Sequence, residues 1–352
     1  MTAAYEFDLP PELIAQTPAP ERDASRLMVL DADVRTHRAF SDLPELLEPG
    51  DLLVLNQTRV IPARLTGARV PSGGRVEVVL LHPAGNPRYD PGAVRWEALV
   101  RPARRLRPGA RIAFGEVGEA VVLGAADGGI RELEFALRVP FERFLEQIGR
   151  LPLPPYVRND SAQAQERYQT VFATVPGSVA APTASLHFTP ELFERLAARG
   201  VETARIALDV GLGTFRPISA SKIDDHAMHA ESYEIPHEAA AQIERARREG
   251  RRVVAAGTTV VRALEGNARE HGSVAAGPGL TDLFVTPGFR FRVVGAMITN
   301  FHLPKSSLLV LVSAFAGRER ILRAYREAVA RRYRFFSFGD AMLIIRRPEA
   351  AP

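Results

Sequence analysis

Residues 251–270, RRVVAAGTTVVRALEGNARE, show the pattern that decides the fold of most of the chain. The apolar run Arg252–Ala256 predicts a buried β-strand, which Gly257 ends. The following residues, Thr258–Arg269, have the apolar spacing of a helix that packs on one face. A buried strand followed at once by such a helix is the repeating unit of an α/β sheet.

The same alternation of strand and helix continues on both sides of this unit. The other predicted helices are Thr189–Arg199, His237–Glu249, Ser306–Ala316 and Glu319–Arg331. The other predicted strands are 26–30, 51–55, Val201–Asp209, Leu283–Val285, Phe289–Ile298 and Ala341–Arg346. We therefore expect an α/β sheet with helices on both faces.

A different pattern occupies residues 65–134, where short alternating runs are separated by Gly, Pro and Asn turns. Such spacing is typical of a small antiparallel barrel or sandwich. We predict a discontinuous α/β sandwich domain, formed by residues 1–62 and 154–352, with a small antiparallel β-barrel domain of residues 63–153 inserted in it. The proline-rich segment Leu151–Pro155 suits a stiff junction between the two.

The composition is that of an ordinary folded protein and excludes several kinds of site. The chain has 352 residues, enough for about two domains, and 46% of them are hydrophobic and 24% charged. It has no cysteine, which excludes disulfides, thiolate metal sites and a cysteine nucleophile. The net charge of +4 is compatible with a polyanionic partner. Because no apolar run approaches the roughly 20 residues of a membrane span and the N-terminus lacks a secretory pattern, we expect a cytoplasmic protein without a membrane partner.

The glycine-rich segment IALDVGLGTF at 206–215 resembles the nucleotide loop of methyltransferases that use S-adenosylmethionine. However, Phe215 stands where that loop has a third glycine, and Pro217 blocks the helix that should follow. A bent strand end with a glycine turn is therefore the better interpretation.

The segment DDHAMHAE at 224–231 holds three groups that can bind a metal, His226, His229 and Glu231. The two histidines are three residues apart, whereas metal-binding helices usually place them four apart, and no remote third ligand is apparent. We favour a polar loop in which His229 and Glu231 act as acid–base groups, and we expect no metal.

The segment APTASLHFT at 181–189 places Thr183, Ser185 and His187 on one side of an extended chain. Ser185 lacks the GxSxG turn of a serine hydrolase. His187 is either a site residue or a buried structural group.

In ITNFHLPKS at 298–306, Lys305 precedes an apolar helix whose first N–H groups favour a carboxylate or a phosphate. Lysine supplies a compact charge in a chain that otherwise uses arginine almost throughout. A solvated surface lysine remains the alternative.

Twelve segments together resemble one known family in order along the whole chain, with the main interruption in the barrel-like insert. The segments are PPELIAQTP (10–18), ERDASRL (21–27), LVLNQTRVIPARL (53–65), LPLPPYVR (151–158), ERYQTVFA (166–173), PGSVAAPTASLHFT (176–189), VGLGTFRP (210–217), MHAESY (228–233), GTTVVRALE (257–265), TDLFVTPGF (281–289), ITNFHLPKS (298–306) and FSFGDAMLI (336–344). The family is the S-adenosylmethionine:tRNA ribosyltransferase-isomerases of queuosine biosynthesis.

The resemblance implies an α/β domain with an inserted barrel and a reaction on the wobble base of tRNA. The ribosyl part of S-adenosylmethionine is moved to the aminomethyl nitrogen of 7-aminomethyl-7-deazaguanine and rearranged, which gives epoxyqueuosine-tRNA, adenine and methionine. The expected partners are S-adenosylmethionine, as a consumed co-substrate, and the tRNA anticodon stem-loop. No metal or other cofactor is expected, and we expect a monomer.

Candidate residues for three roles follow from the resemblance and from the demands of this reaction. The catalytic candidates are His229, Glu231, His187, His302 and Lys305. The candidates for S-adenosylmethionine binding are Asp282, Asp340, Thr183, Tyr233 and Phe301. The candidates for tRNA binding are Arg59, Arg64, Arg158, Tyr168 and Arg262. Carboxylates and aromatic rings suit a sulfonium cation, arginines suit phosphates, and aromatic rings stack on unpaired bases.

The chain departs from the family's pattern at four positions. Gln57 stands where the family usually has Asp, Asp209 where it has His, Ser185 where it has Gly, and Gly295 where it often has Asp. We therefore assign no catalytic role to Gln57 or Asp209 from the sequence.

Three alternative functions remain open at this point. One is a methyltransferase built on residues 206–215, which would transfer the methyl group instead. Another is an RNA-binding protein without catalysis, in which the barrel is the RNA platform. The last is a metal hydrolase built on residues 224–231.

Overall fold

The structure is a computed structural model and describes residues 1–86, 88–211, 218, 223, 228 and 230–346. Its helices are α1 (Leu43–Leu46), α2 (Phe141–Ile148), α3 (Ala162–Arg167), α4 (Pro190–Ala198), α5 (His237–Arg248), α6 (Thr258–His271), α7 (Ser307–Ala316) and α8 (Arg318–Ala330). Its strands are β1 (Arg26–Asp31), β2 (Val34–Ala39), β3 (Leu52–Asn56), β4 (Thr58–Val60), β5 (Arg64–Val70), β6 (Arg75–Pro83), β7 (Arg95–Arg101), β8 (Arg111–Ala113), β9 (Gly118–Ala125), β10 (Ile130–Leu137), β11 (Gly149–Arg150), β12 (Val175–Ser178), β13 (Glu202–Leu208), β14 (Glu231–Ile235), β15 (Val253–Ala256), β16 (Gly277–Thr281), β17 (Ala296–Asn300) and β18 (Ala341–Ile345).

A nine-stranded mixed sheet forms the larger part, in the order β16-β14-β13-β3-β15-β17-β18-β1-β2. Strands β13, β3, β15 and β17 are parallel, and β18 runs antiparallel to β17. Strand β1 is parallel to β18, so β1 and β18 begin where β17 ends. We call this side of the sheet the carboxyl edge, because the parallel strands β13, β3, β15 and β17 end there.

Both faces of this sheet are covered, which explains the continuous apolar runs of its strands. In β3, Leu52 and Val54 belong to the core that includes α5, α6, α7 and α8. Their neighbours Leu53 and Leu55 belong to a second core, which includes Phe188 and the apolar side of α4. The predicted α/β sheet with helices on both faces is thus confirmed.

The second sheet is an antiparallel barrel of six strands in the order β5-β6-β7-β10-β9-β8, closed by pairing of β5 with β8. Its core is separate from the two cores of the large sheet and is rich in aromatic rings. Trp96 stacks on Phe141 of α2, with ring centroids 4.9 Å apart. Strand β11 pairs with β5, so the chain enters and leaves the barrel on adjacent strands. This confirms the predicted barrel.

The prediction was wrong between Leu283 and Gly295. No strand forms at 283–285, and β17 begins only at Ala296. For the late start of β17, the cause is the buried carboxylate of Glu265, which accepts the backbone N–H groups of residues 292, 293 and 294 at 2.8, 3.0 and 2.9 Å. These groups are therefore not available to a neighbouring strand.

Two strands at one end of the large sheet were not predicted. Strand β16 has the sequence GPGLT, whose proline and glycines give no strand signal. It pairs with β14, which was also missed. None of the helices in the described part of the chain is long and apolar enough to cross a membrane.

Candidate active site

A small cavity lies at the carboxyl edge, with walls from several distant segments of the chain. The residues that line it include Thr183, Val210, Thr259, Asn300 and His302, and its volume is about 40 Å³. Among the lining residues that the structure describes, none is an aspartate, glutamate, lysine or arginine. Because ligands of α/β sheets bind at the carboxyl ends of parallel strands, this cavity is the first candidate for the active site.

Asn300 ends β17 and connects two of the predicted site residues. The hydroxyl of Thr183 donates to Asn300 Oδ1 at 2.9 Å, and Asn300 Nδ2 donates to Nε2 of His187 at 3.2 Å. The ring of His187 also forms a hydrogen bond with the Arg22 backbone. Burial lowers the pKa of His187 to about 4, so its ring is neutral near pH 7. Since its Nε2 is already an acceptor, His187 serves to orient the Asn300 amide.

His302 lines the same cavity, two residues beyond Asn300. Its Nε2 lies 2.8 Å from the hydroxyl of Thr299, and its backbone N–H donates to the Tyr325 hydroxyl at 3.0 Å. Burial lowers the pKa of His302 to about 3. Such an imidazole can hydrogen-bond a substrate, whereas it is a weak proton acceptor near pH 7.

Glu231 and Arg262 form a buried ion pair between β14 and α6. Arg262 Nη1 lies 2.6 Å from Glu231 Oε2, and Arg262 Nε donates to the Leu283 carbonyl at 3.1 Å. The other carboxylate oxygen of Glu231 accepts the N–H of Gly211 at 3.3 Å. Arg262 is only 2% exposed, so an RNA phosphate cannot reach it. The predicted phosphate contact of Arg262 is therefore contradicted by its burial, and its guanidinium instead holds the Glu231 carboxylate.

Asp209 follows β13 at the point where the barrel approaches the large sheet. The hydroxyl of Ser232 donates to its carboxylate at 2.9 Å and that of Thr58 at 3.4 Å, and the Tyr89 backbone of the barrel adds a hydrogen bond. Burial outweighs these bonds and raises the pKa of Asp209. A Cβ on Gly177 would overlap this carboxylate, so glycine is needed there. A partly buried carboxyl group with a raised pKa is a candidate acid–base group.

A family assignment follows from comparison with known proteins. The chain matches the family model described as queuosine biosynthesis protein over residues 2–344. The chain belongs to this family. The resemblance found in the sequence is thereby confirmed.

Two similar relatives bear the name S-adenosylmethionine:tRNA ribosyltransferase-isomerase. The protein of Symbiobacterium thermophilum is 56% identical over 346 residues, which cover 97% of this chain and 98% of the relative. The protein of Gloeobacter violaceus is 56% identical over 347 residues, which cover 98% of this chain and 96% of the relative. Among solved structures, the S-adenosylmethionine tRNA ribosyltransferase of Thermotoga maritima is 40% identical, with a TM-score of 0.55 and coverage of 97% of this chain and 100% of that one.

In this queuosine biosynthesis protein, neither carboxylate predicted to face a sulfonium is among the cavity residues described. Asp340 accepts the backbone N–H groups of Arg26 and Arg334 at 3.0 and 2.8 Å, and pairs with the Arg26 guanidinium at 3.0 Å. These contacts provide the buried Asp340 carboxylate with hydrogen-bond donors and a positive charge, so its burial does not require a ligand. Asp282 is exposed and lines a surface cleft beside Arg269, where its role stays a prediction.

The three predicted aromatic contacts are buried side chains. Tyr168 and Phe301 are fully buried, and Phe301 packs on Tyr325. Tyr233 is also buried, and its hydroxyl accepts a hydrogen bond from Asn267 at 3.2 Å. Because no ring face is free, the geometry argues against direct stacking on a base or contact with a sulfonium.

The remaining arginines predicted to bind tRNA differ in exposure. Arg59 and Arg158 are exposed and accessible to phosphates. Arg64 is partly buried, and its Nη2 lies 2.8 Å from Glu77 Oε2 in the barrel. Arg59 and Arg158 thus remain the accessible candidates.

Two predicted catalytic residues, His229 and Lys305, are not among the described residues that line the cavity. His229 lies outside the residues that the structure describes, as do His226 and the glycine-loop residues 212–217. Lys305 is 39% exposed, and its Nζ lies 2.8 Å from Glu6 Oε1. Within the described residues, no group of three potential metal ligands comes together.

Some cavity residues were not selected from the sequence, although a signal for them existed. Asn300 directly ends an apolar strand, and Thr258 and Thr259 follow Gly257 after another. Polar residues in such places lie at the carboxyl edge of a parallel sheet, where ligands bind.

Proposed function

We propose that this protein is an S-adenosylmethionine:tRNA ribosyltransferase-isomerase. It transfers the ribosyl group of S-adenosylmethionine to 7-aminomethyl-7-deazaguanine at the tRNA wobble position and isomerises it, which gives epoxyqueuosine-tRNA and releases adenine and methionine. The observation that carries the proposal is 56% identity over nearly the full length of relatives with this name. A methyltransferase, a metal hydrolase and a non-catalytic RNA-binding protein are not favoured by these relatives.

The reaction requires a proton acceptor beside a sulfonium. The positive sulfur acidifies the C5′ protons of the donor, so removal of one of them starts ring opening and loss of adenine. We assign this step to Asp209, because burial raises the pKa of its carboxyl group and because it follows β13 at the carboxyl edge of the sheet. The Glu231–Arg262 pair holds the adjoining Gly211 backbone in place.

The cavity side chains supply neutral hydrogen-bonding groups. Thr183, Asn300 and His187 form one connected row, and His302 adds an imidazole held by Thr299. Such fixed dipoles bind a polar group of the donor without adding a net charge. The proposal includes no metal and no resident cofactor.

The proposed partner is the anticodon stem-loop of a tRNA that carries 7-aminomethyl-7-deazaguanine. Exposed Arg59 and Arg158 support phosphate contacts, and the net charge of +4 is favourable for association. We further propose that the protein acts as a monomer in the cytoplasm.

The test uses S-adenosylmethionine labelled separately in the ribose and in the methyl group. With tRNA bearing the aminomethyl base, ribose label is expected in the tRNA, together with free adenine and methionine. The matched control is the same tRNA with guanine at the wobble position, which lacks the attacking amine and should take up no label. Methyl label in the tRNA would replace the proposal by a methyltransferase, and transfer abolished by a chelator would refute metal independence.

A further inference from the structure

The amino terminus of α6 opens on the cavity at the carboxyl edge. Gly257 precedes the helix and has no side chain to cap it, and Gly257, Thr258 and Thr259 all line the cavity. The first N–H groups of a helix have no partner within the helix and carry a partial positive charge. A helix of 14 residues therefore presents uncapped donors at the cavity wall.

A second observation at the same place is the hydroxyl of Thr259. This side chain is 6% exposed, lines the cavity, and makes no hydrogen bond with the part of the chain that the structure describes. Leaving a buried hydroxyl without a partner costs free energy, so such a group normally forms a hydrogen bond with protein, water or a ligand. Its position at the second residue of α6 places it beside the uncapped N–H groups.

The walls of the cavity specify the charge of a group that binds there. Donors converge from α6, and no carboxylate is present among the described lining residues to occupy them. Those described residues include no lysine or arginine either, so this part of the wall offers hydrogen bonds and a helix dipole rather than a full positive charge. This combination suits a singly charged carboxylate better than a phosphate dianion.

The size of the cavity points to a small terminal group. Its volume of about 40 Å³ leaves room for a small polar group rather than for a whole nucleoside. The buried position of Thr259 also excludes the phosphate backbone of a folded RNA. Of the two proposed substrates, S-adenosylmethionine carries a carboxylate at the end of a flexible chain.

We infer that the amino terminus of α6, with the Thr259 hydroxyl, binds the carboxylate of the methionyl group of S-adenosylmethionine. This inference rests on the proposed function, since it takes S-adenosylmethionine as the ligand. The carboxylate accepts from the first N–H groups of α6 and from Thr259, which gives the buried hydroxyl a partner. The site thereby distinguishes the intact donor from nucleosides that lack the amino-acid end.

The experiment measures equilibrium binding of S-adenosylmethionine and of decarboxylated S-adenosylmethionine to the full chain by dialysis. Unmodified tRNA with guanine at the wobble position is present throughout, so that tRNA-dependent binding is included and no turnover occurs. Thr259→Val removes the hydroxyl at nearly constant volume and is expected to weaken S-adenosylmethionine binding by about 10- to 100-fold, as for a hydrogen bond to a charged group. The affinity for the decarboxylated ligand should stay within about twofold of the wild-type value.

Matched variants separate the hydroxyl from general damage. Thr259→Ser keeps the donor and should keep the preference for the carboxylate. Thr170 is another buried threonine whose hydroxyl has no partner among the described residues, and it is not among the described residues that line the cavity. The variant Thr170→Val should therefore leave the affinities for both ligands unchanged. Should Thr259→Val fail to fold, Thr259→Ala provides the same comparison without a new methyl group.

The outcomes distinguish failure of the inference from failure of the proposed function. If Thr259→Val weakens both ligands equally, or weakens tRNA binding instead, α6 faces the adenine or the RNA and the inference is wrong. If the wild-type protein binds S-adenosylmethionine but not better than its decarboxylated form, the carboxylate site is likewise wrong while the function stands. If the wild-type protein binds neither ligand, the proposed function fails and the inference fails with it.

Discussion

At the scale of single residues, burial sets the charge of the two histidines nearest the cavity. Burial lowers the pKa of His187 to about 4 and that of His302 to about 3, from an ordinary value of 6.5. The Nε2 of each ring also has a hydrogen-bond partner, the Asn300 amide for His187 and the Thr299 hydroxyl for His302. Their arrangement favours hydrogen bonding to a substrate over storage of a proton.

Because the pKa of His302 is lowered in the folded protein, we expect the free energy of unfolding to decrease as the pH falls. The unfolded chain takes up a proton at His302 as the pH falls below about 6.5, whereas the folded chain does so only near pH 3. Stability is therefore full above pH 6.5 and falls below it by about 1.4 kcal/mol per pH unit for this group. The free energy of unfolding can be measured by urea titration at several pH values between 6.5 and 5. In His302→Gln, its decrease per pH unit should be smaller than in the wild type by that amount. An unchanged slope would mean that the buried ring is charged.

Asp209 predicts a pH dependence of activity. Asp209→Asn keeps the shape of the side chain but removes the proton acceptor, so kcat should fall by about 100-fold or more. Asp209→His restores a titrating group, the one expected there from the sequence resemblance, and should recover much of the loss with a shifted acidic limb. Since the pKa of Asp209 is raised, the acidic limb of the wild-type profile should lie above the ordinary range of an aspartate. Turnover of Asp209→Asn within threefold of wild type would exclude Asp209 as the base.

The buried pair of Glu231 and Arg262 predicts a loss of stability. Glu231→Gln leaves the guanidinium of Arg262 without its charged partner at 2% exposure, which should cost about 3–5 kcal/mol in the free energy of unfolding. The double variant with Arg262→Met removes the uncompensated charge and should recover a large part of that loss. Denaturant unfolding of the three proteins measures both effects. A single variant as stable as the wild type would show that Arg262 finds another counter-charge.

At the scale of elements, the sequence predicted those whose own pattern determines them. Strand β15 and helix α6 follow directly from the run of residues 251–270, because a strand buried on both faces is apolar throughout. The segment before β17 could not be predicted in this way, since the Glu265 carboxylate binds its backbone from another helix. Strand β16 exists because β14 provides it with an edge, which its own residues do not reveal.

The same limit applies to the candidate site. Thr183, His187 and His302 were identified as polar residues in short motifs, and the structure joins the first two through Asn300. Asp340 was selected because a carboxylate suits a sulfonium cation. Only the tertiary structure shows that Arg26 and Arg334 already use its carboxylate.

The contacts of Asp340 are expected to stabilise the fold, because they connect β1 to the segment before β18. Asp340→Asn weakens the ion pair with Arg26 and the hydrogen bond from the Arg334 backbone, and should lower the free energy of unfolding by about 1–3 kcal/mol. The KM for S-adenosylmethionine should stay within about threefold, because the carboxylate faces Arg26 rather than a ligand. Thermal unfolding and initial rates measure the two quantities. An unchanged stability with a tenfold higher KM would restore Asp340 as a ligand-binding residue.

At the scale of the whole molecule, the barrel and the large sheet have separate cores, and a barrel segment contacts the large sheet at Asp209. The barrel contributes the Tyr89 backbone to the Asp209 carboxylate, and Arg88 pairs with Glu234 of β14 at 2.5 Å. The described residues that line the cavity at the carboxyl edge, by contrast, lie outside the barrel strands. The barrel thus contacts the proposed proton acceptor without forming the described wall of the proposed donor site.

From this arrangement we expect that removal of the barrel abolishes transfer to tRNA but leaves the binding of S-adenosylmethionine. Gly149 pairs with Leu65, so a short glycine linker can replace residues 66–148 between adjacent strands. The remaining protein should keep the circular-dichroism spectrum of a folded α/β protein and bind S-adenosylmethionine within about threefold of the full chain, since both cores of the large sheet are intact. Transfer to tRNA should fall by at least about 100-fold, because Asp209 loses its burial and its barrel contacts. Loss of donor binding in a folded remnant would show instead that the barrel helps to form the donor site.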